Sequence, residues 1–415
     1  MWASFSRYLA KVMFCEEAIR LLACTTGAGA QPRPAAVASA PKSSPVRTIR
    51  LRPVGAADAL VDTNPVLRTV GEGPCEFARI VSIVIASDGG VSAAEATTNS
   101  ICVFDRSGRQ MFRFGRGGAG PGEFNAIEKM IGLTGDSLLV FDHLLRRATV
   151  FTQNGRLHRT FRFQRVNGDP ESPFTILPLT DGNFVVGVVQ PPEDHRAPGV
   201  HEFHQLLSVS TAEGLIQRDI RLVLATEYFT QVVANAFGGL AFWDRVLARR
   251  GSVVLIGDRE FLYGDGSSLQ FSRYNAKGAR TATYRGDEGR RAVTARDVNE
   301  FRESGARERV DPRFESLRAR RVAQMVFPDS YPSFRRVISD AANGSQRFWI
   351  EEYPTFTATS ERWRSVQLDG TMGGWVRFPK RFVLMAIRSG TACGYRRDEE
   401  DVPRVECYRL PGSTR

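Results

Sequence analysis

No stretch of this 415-residue chain comes near the run of about 18 uncharged apolar residues that a membrane-spanning helix needs. The densest run, Ile80-Val81-Ser82-Ile83-Val84-Ile85-Ala86, is strand-sized, so an integral helical membrane protein is excluded. Lysine is almost missing: 5 of the 56 basic residues are Lys and the rest are Arg. The net charge of +11 invites a nucleic-acid partner, but phosphate binding needs basic residues gathered on one surface. Here the arginines are spread along the chain among Asp and Glu, which reads as general arginine usage, and no nucleic-acid partner is expected. With 42% hydrophobic residues the bulk of the chain is not disordered.

The first 45 residues stand apart. Arg7 and Lys11 give a basic start, and Ala28-Gly29-Ala30 before Gln31 is a small-x-small cleavage pattern, although Glu16, Glu17 and Arg20 interrupt the hydrophobic middle. Leu21-Leu22-Ala23-Cys24 also looks like a lipoprotein cleavage box, which would anchor the chain by a lipid at Cys24. The expectation is export, periplasmic or extracellular; a mis-assigned start codon or an unstructured cytoplasmic tail is the alternative. Residues 31–45 are Pro-, Ala- and Ser-rich and read as a linker.

A repeat follows. Val70-Gly71-Glu72-Gly73-Pro74-Cys75-Glu76-Phe77 is echoed by Phe114-Gly115-Arg116-Gly117-Gly118-Ala119-Gly120-Pro121-Gly122-Glu123-Phe124. After each copy come four short strands rich in Val, Ile and Phe with glycine turns between them, the pattern of one antiparallel sheet. The first unit predicts strands at 80–85, 91–95, 101–105 and 110–114, and the second at 126–133, 137–142, 148–152 and 157–163.

These units resemble the NHL-type repeat of six-bladed β-propellers, in which a G-x-G-P-G-E-F segment links successive blades. That resemblance implies an all-β, six-bladed propeller over residues 46–415, one domain behind the 1–45 leader and linker. By spacing, a third blade takes strands at 177–179, 183–189, 204–210 and 215–221. The fourth takes 240–247, 252–257, 269–274 and 280–284, and the fifth takes 333–339, 348–352, 364–368 and 375–378. The sixth has strands at 382–388, 391–396 and 405–410, and the N-terminal piece 46–51 is expected to supply its missing strand and close the ring.

Gly115-Arg116-Gly117-Gly118-Ala119-Gly120 matches G-x-G-x-x-G, but a strand rather than a helix follows, so it reads as a tight crossing and not a dinucleotide site. In an up-and-down blade the tight turns gather on one face: Asp88-Gly89, Asp181-Gly182, 275–278, Asn343-Gly344 and Asp369-Gly370. The long segments 190–203, 258–268, 285–332, 353–363 and 397–404 fall on the other, where binding is expected. Within them an insertion at about 290–326 predicts two helices, with Thr294 as an N-cap, Val298, Phe301, Phe314, Leu317 and Val322 facing inward and Arg302, Arg307, Arg309, Arg318, Arg320 and Arg321 on the other faces.

His195, His201 and His204 gather three of the five histidines within ten residues, open to a divalent metal or to a plain polar loop; His201-Glu202-Phe203-His204 is one residue short of H-E-x-x-H. Trp243 is an aromatic anchor or a core residue, and Arg245 and Asp142 complete the candidate binding set. No catalytic residue is assigned, and no cofactor beyond that metal. Glu351-Glu352 and Glu399-Glu400 are adjacent acids that a strand would point to opposite faces, which suits neither a catalytic dyad nor a glycosidase pair. The expected function is a binding or interaction module for an unidentified ligand or protein; the alternative is a metal-dependent propeller hydrolase or lyase with its site at the central channel. Cys393 and Cys407 sit symmetrically on the arms of the last hairpin and can face each other in a disulfide, if the register holds and the compartment is oxidising.

Overall fold

The computed structural model describes residues 46–54, 58–69, 75–195, 197–233, 239–257, 259–308, 310–341 and 346–411. The leader with Cys24, most of the first glycine segment, Asn343-Gly344 and Arg309 lie outside the described residues. What is described is mostly strand, with two α-helices, Ala295–Ala306 (α1) and Glu315–Gln324 (α2).

The strands form six sheets. Sheet 1 holds Ile80–Ile85, Val91–Glu95, Ser100–Phe104 and Gln110–Phe114, and sheet 2 holds Ile127–Gly132, Leu138–Asp142, Arg147–Phe151 and Leu157–Phe161. Both are antiparallel meanders in chain order, as the repeat predicts. Between them, Phe124 is fully buried and Gly117 bridges to it, with Arg147 donating to the carbonyls of Ala119, Gly120 and Glu123. The glycine run is thus a crossing clamped from below, leading into a strand.

Sheet 3 departs from the expectation. After Thr175–Pro178 and Phe184–Gln190, its third strand, Gly199–Ser210, begins before the predicted 204, its fourth, Ile216–Val233, runs far past 221, and Gly239–Asp244 joins them as a fifth strand instead of opening the next sheet. The segment 222–233 is rich in β-branched and aromatic residues and carries no Gly, Pro, Asn or Asp, so the ladder continues until the chain can double back. Sheet 4 therefore starts one strand later, with Ser252–Ile256, Glu260–Gly264, Gln270–Asn275 and Arg280–Arg285. The segment 258–268, expected as a long loop, contains a core strand; Gly257, at φ 61°, makes the preceding turn so tight that it is easily missed. Sheet 5 holds Val337–Ser339, Arg347–Glu351, Arg362–Gln367, Thr371–Met372 and Val376–Arg377, and sheet 6 holds Phe382–Arg388, Thr391–Arg397 and Pro403–Arg409.

The N-terminal piece does not go where the strand count put it. Arg47–Arg50 pairs in parallel with Arg280–Arg285 on the outer edge of sheet 4. The chain then adds Arg52–Pro53 and Ala59–Leu60 to sheet 5, both parallel, and Leu67–Arg68 antiparallel to the last strand of sheet 6. The described residues 46–54 and 58–69 are a strap over three sheets, and 67–68 rather than 46–51 fill the place in sheet 6. The strap crosses glycine turns that leave it room. A Cβ on Gly370 would lie 2.5 Å from the Arg50 carbonyl oxygen, and one on Gly108 would lie 2.3 Å from that of Arg68.

Side chains interlock between consecutive sheets in six apolar clusters. Ile101 and Phe124 meet Val140 between sheets 1 and 2; Phe141 meets Phe184 between 2 and 3; Leu207 meets Phe261 between 3 and 4; Phe271 meets Phe348 between 4 and 5; Trp363 meets Phe382 between 5 and 6. The sixth cluster joins the last sheet to the first, with Val405 against Ile83 and Phe104. Two disulfides lie in that seam, Cys393–Cys407 and Cys75–Cys102. The first joins directly opposed residues with Cα atoms 4.1 Å apart. The second had no motif beyond the Cys that stands where the later copy has Gly122.

In the insertion, Thr294 and Asp297 form a reciprocal cap and Phe301 is buried, but two side chains differ from the helical stripe. Phe314 is exposed, while Arg321 is buried, paired to Glu308 and stacked over Trp243. Phe314 ends the 3-10 turn Pro312–Phe314 ahead of the second helix and so falls outside its stripe, and the ion pair makes the buried guanidinium tolerable.

Candidate functional site

A cavity of about 830 Å³ is lined by the first strands of all six sheets: Ile85, Met130, Ile176, Leu255, Ile338 and Met385 each contribute. Its wall is chiefly aliphatic because first strands are apolar on both faces, a consequence of packing against a neighbouring sheet on each side. The polar groups sit at the tight-turn end. Asp136, held in left-handed backbone at φ 54°, accepts from the Ser87 backbone and lies 3.5 Å from Arg388, which also donates to the Ile85 carbonyl. Asp340 accepts from the Ser389 backbone at the same rim. An apolar chamber of this volume with a few fixed polar groups is the composition of a small-molecule pocket. It opens toward the turn face, not toward the face carrying the long loops.

The loop face carries a second body. The overhanging ends of 199–210 and 216–233, the strand Gly239–Asp244, both helices and residues 325–331 and 353–356 share one apolar cluster built on Phe229, Leu247, Phe301, Met325, Tyr331 and Tyr353. Beside it lies a pocket of about 260 Å³ bounded by Glu227, Arg245, Arg249, Arg290 and Asp329. The buried Glu227 carboxylate takes Arg249 at 2.9 Å and Arg245 at 3.3 Å.

The predicted site residues separate between these places. Arg245 lines the smaller pocket, and Trp243 packs one layer below under Arg321. His195 Nδ1 bonds the Pro192 carbonyl and its ring lies parallel to Phe242, while His201 is buried with Nε2 on the Ala197 carbonyl. His204 lies 3.9 Å from Glu202. Among the described residues, no three His, Cys, Asp or Glu side chains converge in a way that could hold a metal ion. Asp142 is fully buried, and its carboxylate accepts from the backbone N–H of Asn125, Ala126 and Leu145, fixing the entry to sheet 2. Neither pocket includes Asp142 or a histidine of the 195–204 group.

A buried charge cluster was not foreseen. Glu351, at the end of a sheet 5 strand, is bonded by Arg335 at 2.6 Å and Arg336 at 2.5 Å, and Arg336 reaches Glu361 at 3.3 Å. Burial favours the neutral acid, but the two guanidiniums outweigh it and hold the Glu351 carboxyl below the usual range. Burial and the Glu351 charge push the Glu361 carboxyl up; it accepts from Trp363 Nε1 and the Leu384 backbone, tying sheet 5 to sheet 6. Glu352 turns the other way, to Arg362, as strand alternation requires. The signal available in the sequence was Arg335-Arg336 inside the predicted inner strand 333–339.

No protein-family description matches the sequence, and no curated protein matches it. Solved structures similar in chain path include an exported-protein candidate of Bacteroides fragilis, at 10% identity over 88% of this chain and 99% of that one, TM-score 0.49. A member of the DUF4221 family from Bacteroides vulgatus is 11% identical over 83% and 96%, TM-score 0.43. Virginiamycin B lyase from Staphylococcus aureus is 8% identical over 80% and 94%, TM-score 0.36. None of these likenesses transfers a ligand or a reaction to this chain.

Proposed function

We propose that residues 46–411 form a single six-bladed propeller, closed between sheets 6 and 1, that works as an exported ligand-binding module with its ligand in the axial cavity. Support for closure comes from the apolar cluster shared by the last and first sheets. Support for export comes from two disulfides, which persist in oxidising compartments, together with the leader-like N-terminus. No helix of the described residues is long and apolar enough to cross a membrane, and a lipid at Cys24 would be the anchor if the cleavage box is used.

The observation that carries the reading is the cavity itself: about 830 Å³, walled by all six sheets, aliphatic inside and polar at one rim. It falls within the range of small-molecule sites, roughly 300–1,000 Å³. A neutral naphthylamine fluorophore is the probe. It should brighten on binding, and Met385→Trp and Ser339→Trp, both on the cavity wall, should each weaken it at least tenfold with unchanged melting temperature. Equal binding in both folded variants would refute the axial site. A second reading, a partner on the loop face, is favoured by one observation, the arginine-bordered pocket containing Arg245. Both readings are of binding; neither assigns a reaction.

A further inference from the structure

The axial cavity is not a plain tube. Its wall includes residues far from the axis, and these belong to sheets 2 and 3 alone: Val150, His158 and Arg159 on the third and fourth strands of sheet 2, and Phe184 on the second strand of sheet 3. The chamber therefore has an arm that runs outward between these two sheets.

The pairing register orders its floor, of which Ile131, Val150 and Arg159 line the cavity while Leu139 between them is fully buried under sheet 3. Ile131 lies opposite Leu139, Leu139 opposite Val150, and Val150 opposite Arg159. Directly opposed residues share a face, so these four form one row across the sheet. Three strand spacings of about 4.8 Å make the row roughly 14 Å long, aliphatic from the axis outward and ending in a guanidinium. Ile176 and Phe184 of sheet 3 supply the facing wall. Arg159 stacks on Phe161, 5.1 Å from the ring centroid, and has no carboxylate partner among the described residues. That is unlike Arg388 at the cavity rim, which lies against Asp136. A cation resting on an aromatic face at the end of a hydrocarbon-lined slot, with its charge uncompensated, matches a linear aliphatic molecule bearing one terminal anion.

We propose that the arm between sheets 2 and 3 binds an unbranched, medium-chain alkyl carboxylate, its chain along Ile131 and Val150 and its carboxylate on Arg159. The inference rests on the axial reading above and deepens it by naming the ligand class. Burying the chain gives affinity that the alcohol shares, whereas a charge-assisted, bidentate guanidinium contact is available to the carboxylate alone.

Titration calorimetry with decanoate and with decanol separates these parts. The wild type should bind decanoate more tightly than decanol. Arg159→Gln should weaken decanoate at least tenfold and leave decanol unchanged, and Arg159→Lys should restore part of the loss. Val150→Phe narrows the arm and should weaken both ligands while the naphthylamine probe still binds at the axis; Arg159 is partly exposed, so its variants stay informative if Val150→Phe fails to fold. Decanoate binding that is unchanged in Arg159→Gln overturns the proposal. A wild type that binds the naphthylamine but not decanoate overturns the arm and keeps the axial site, and one that binds neither overturns both.

Discussion

The two disulfides offer a quantitative test of how the seam between sheets 6 and 1 is held. Cys393 and Cys407 are 14 residues apart in sequence and directly opposed on neighbouring strands, so the native hairpin already holds them together. The bond then acts mainly on the unfolded chain, where closing a loop of about 15 residues is worth about 3 kcal/mol in the chain-entropy account. Cys75 and Cys102 are separated by 27, and the same relation gives about 3.5 kcal/mol. The loops do not overlap, so the contributions should add to about 6.5 kcal/mol. For a chain of this size 1 kcal/mol corresponds to about 1.5 °C, extrapolated from smaller domains, which gives a fall of about 10 °C for the doubly bridgeless protein. Paired Cys→Ala variants, singly and combined, followed by calorimetry and by refolding kinetics, measure it. Loss should appear as slower refolding where the loop is already closed in the folding transition state and as faster unfolding where it closes later. A combined variant that loses no more than one single variant would refute the reasoning.

Other expectations can be checked on the same protein. Gly370→Val places a side chain 2.5 Å from the Arg50 carbonyl at a φ of 94°, so it should detach the first part of the strap, lowering the melting temperature and exposing residues 46–54 to protease. A chain starting at residue 46 should melt like the full one, whereas one starting at 70 loses pairing on sheets 4, 5 and 6 and should unfold without a single sharp transition; identical melts would contradict the strap's role. Glu351→Gln should cost about 3 kcal/mol at neutral pH because it removes the buried carboxylate that two partly buried arginines share. Since the Glu351 pKa is lowered in the native state, its stabilisation is complete above the ordinary value of about 4.3 and disappears as pH falls through the native one. The variant should therefore show a shallower acid limb than the wild type, as urea midpoints from pH 3 to 7 would report.

Where the sequence repeats itself, the fold was readable: glycine turns at a fixed phase located every strand of sheets 1 and 2. The reading slipped at Gly257, where a turn too short to register hid the strand Glu260–Gly264, and that one omission moved residues 240–247 into the wrong sheet. Parallel pairing of the strap was illegible for another reason, since nothing local in Arg47-Thr48-Ile49-Arg50 distinguishes the edge of sheet 4 from that of sheet 6. The site was less legible still. Cavity walls made of ordinary aliphatic residues carry no motif, so attention went to histidines, whose ring nitrogens the fold engages with backbone carbonyls at Pro192 and Ala197.

The strap also orders events in time. Residues 46–68 leave the ribosome early, yet their partners are at Arg280–Arg285, Thr371–Met372, Val376–Arg377 and Pro403–Arg409. The ion pairs that fasten its ends, Arg50 to Asp287 and Arg68 to Glu406, span 237 and 338 positions of chain. At roughly 5–20 residues per second, the N-terminal strands wait tens of seconds with their edges open before any partner exists. Sheet 4 can take up its strap strand only once Arg285 is made, sheet 5 only once Arg377 is made and sheet 6 only once Arg409 is made, which makes folding slow and leaves a hydrogen-bonding edge available to other chains in the interval. A polypeptide built this way is best kept extended until synthesis ends, and passage through an export channel as an unfolded thread would impose that order.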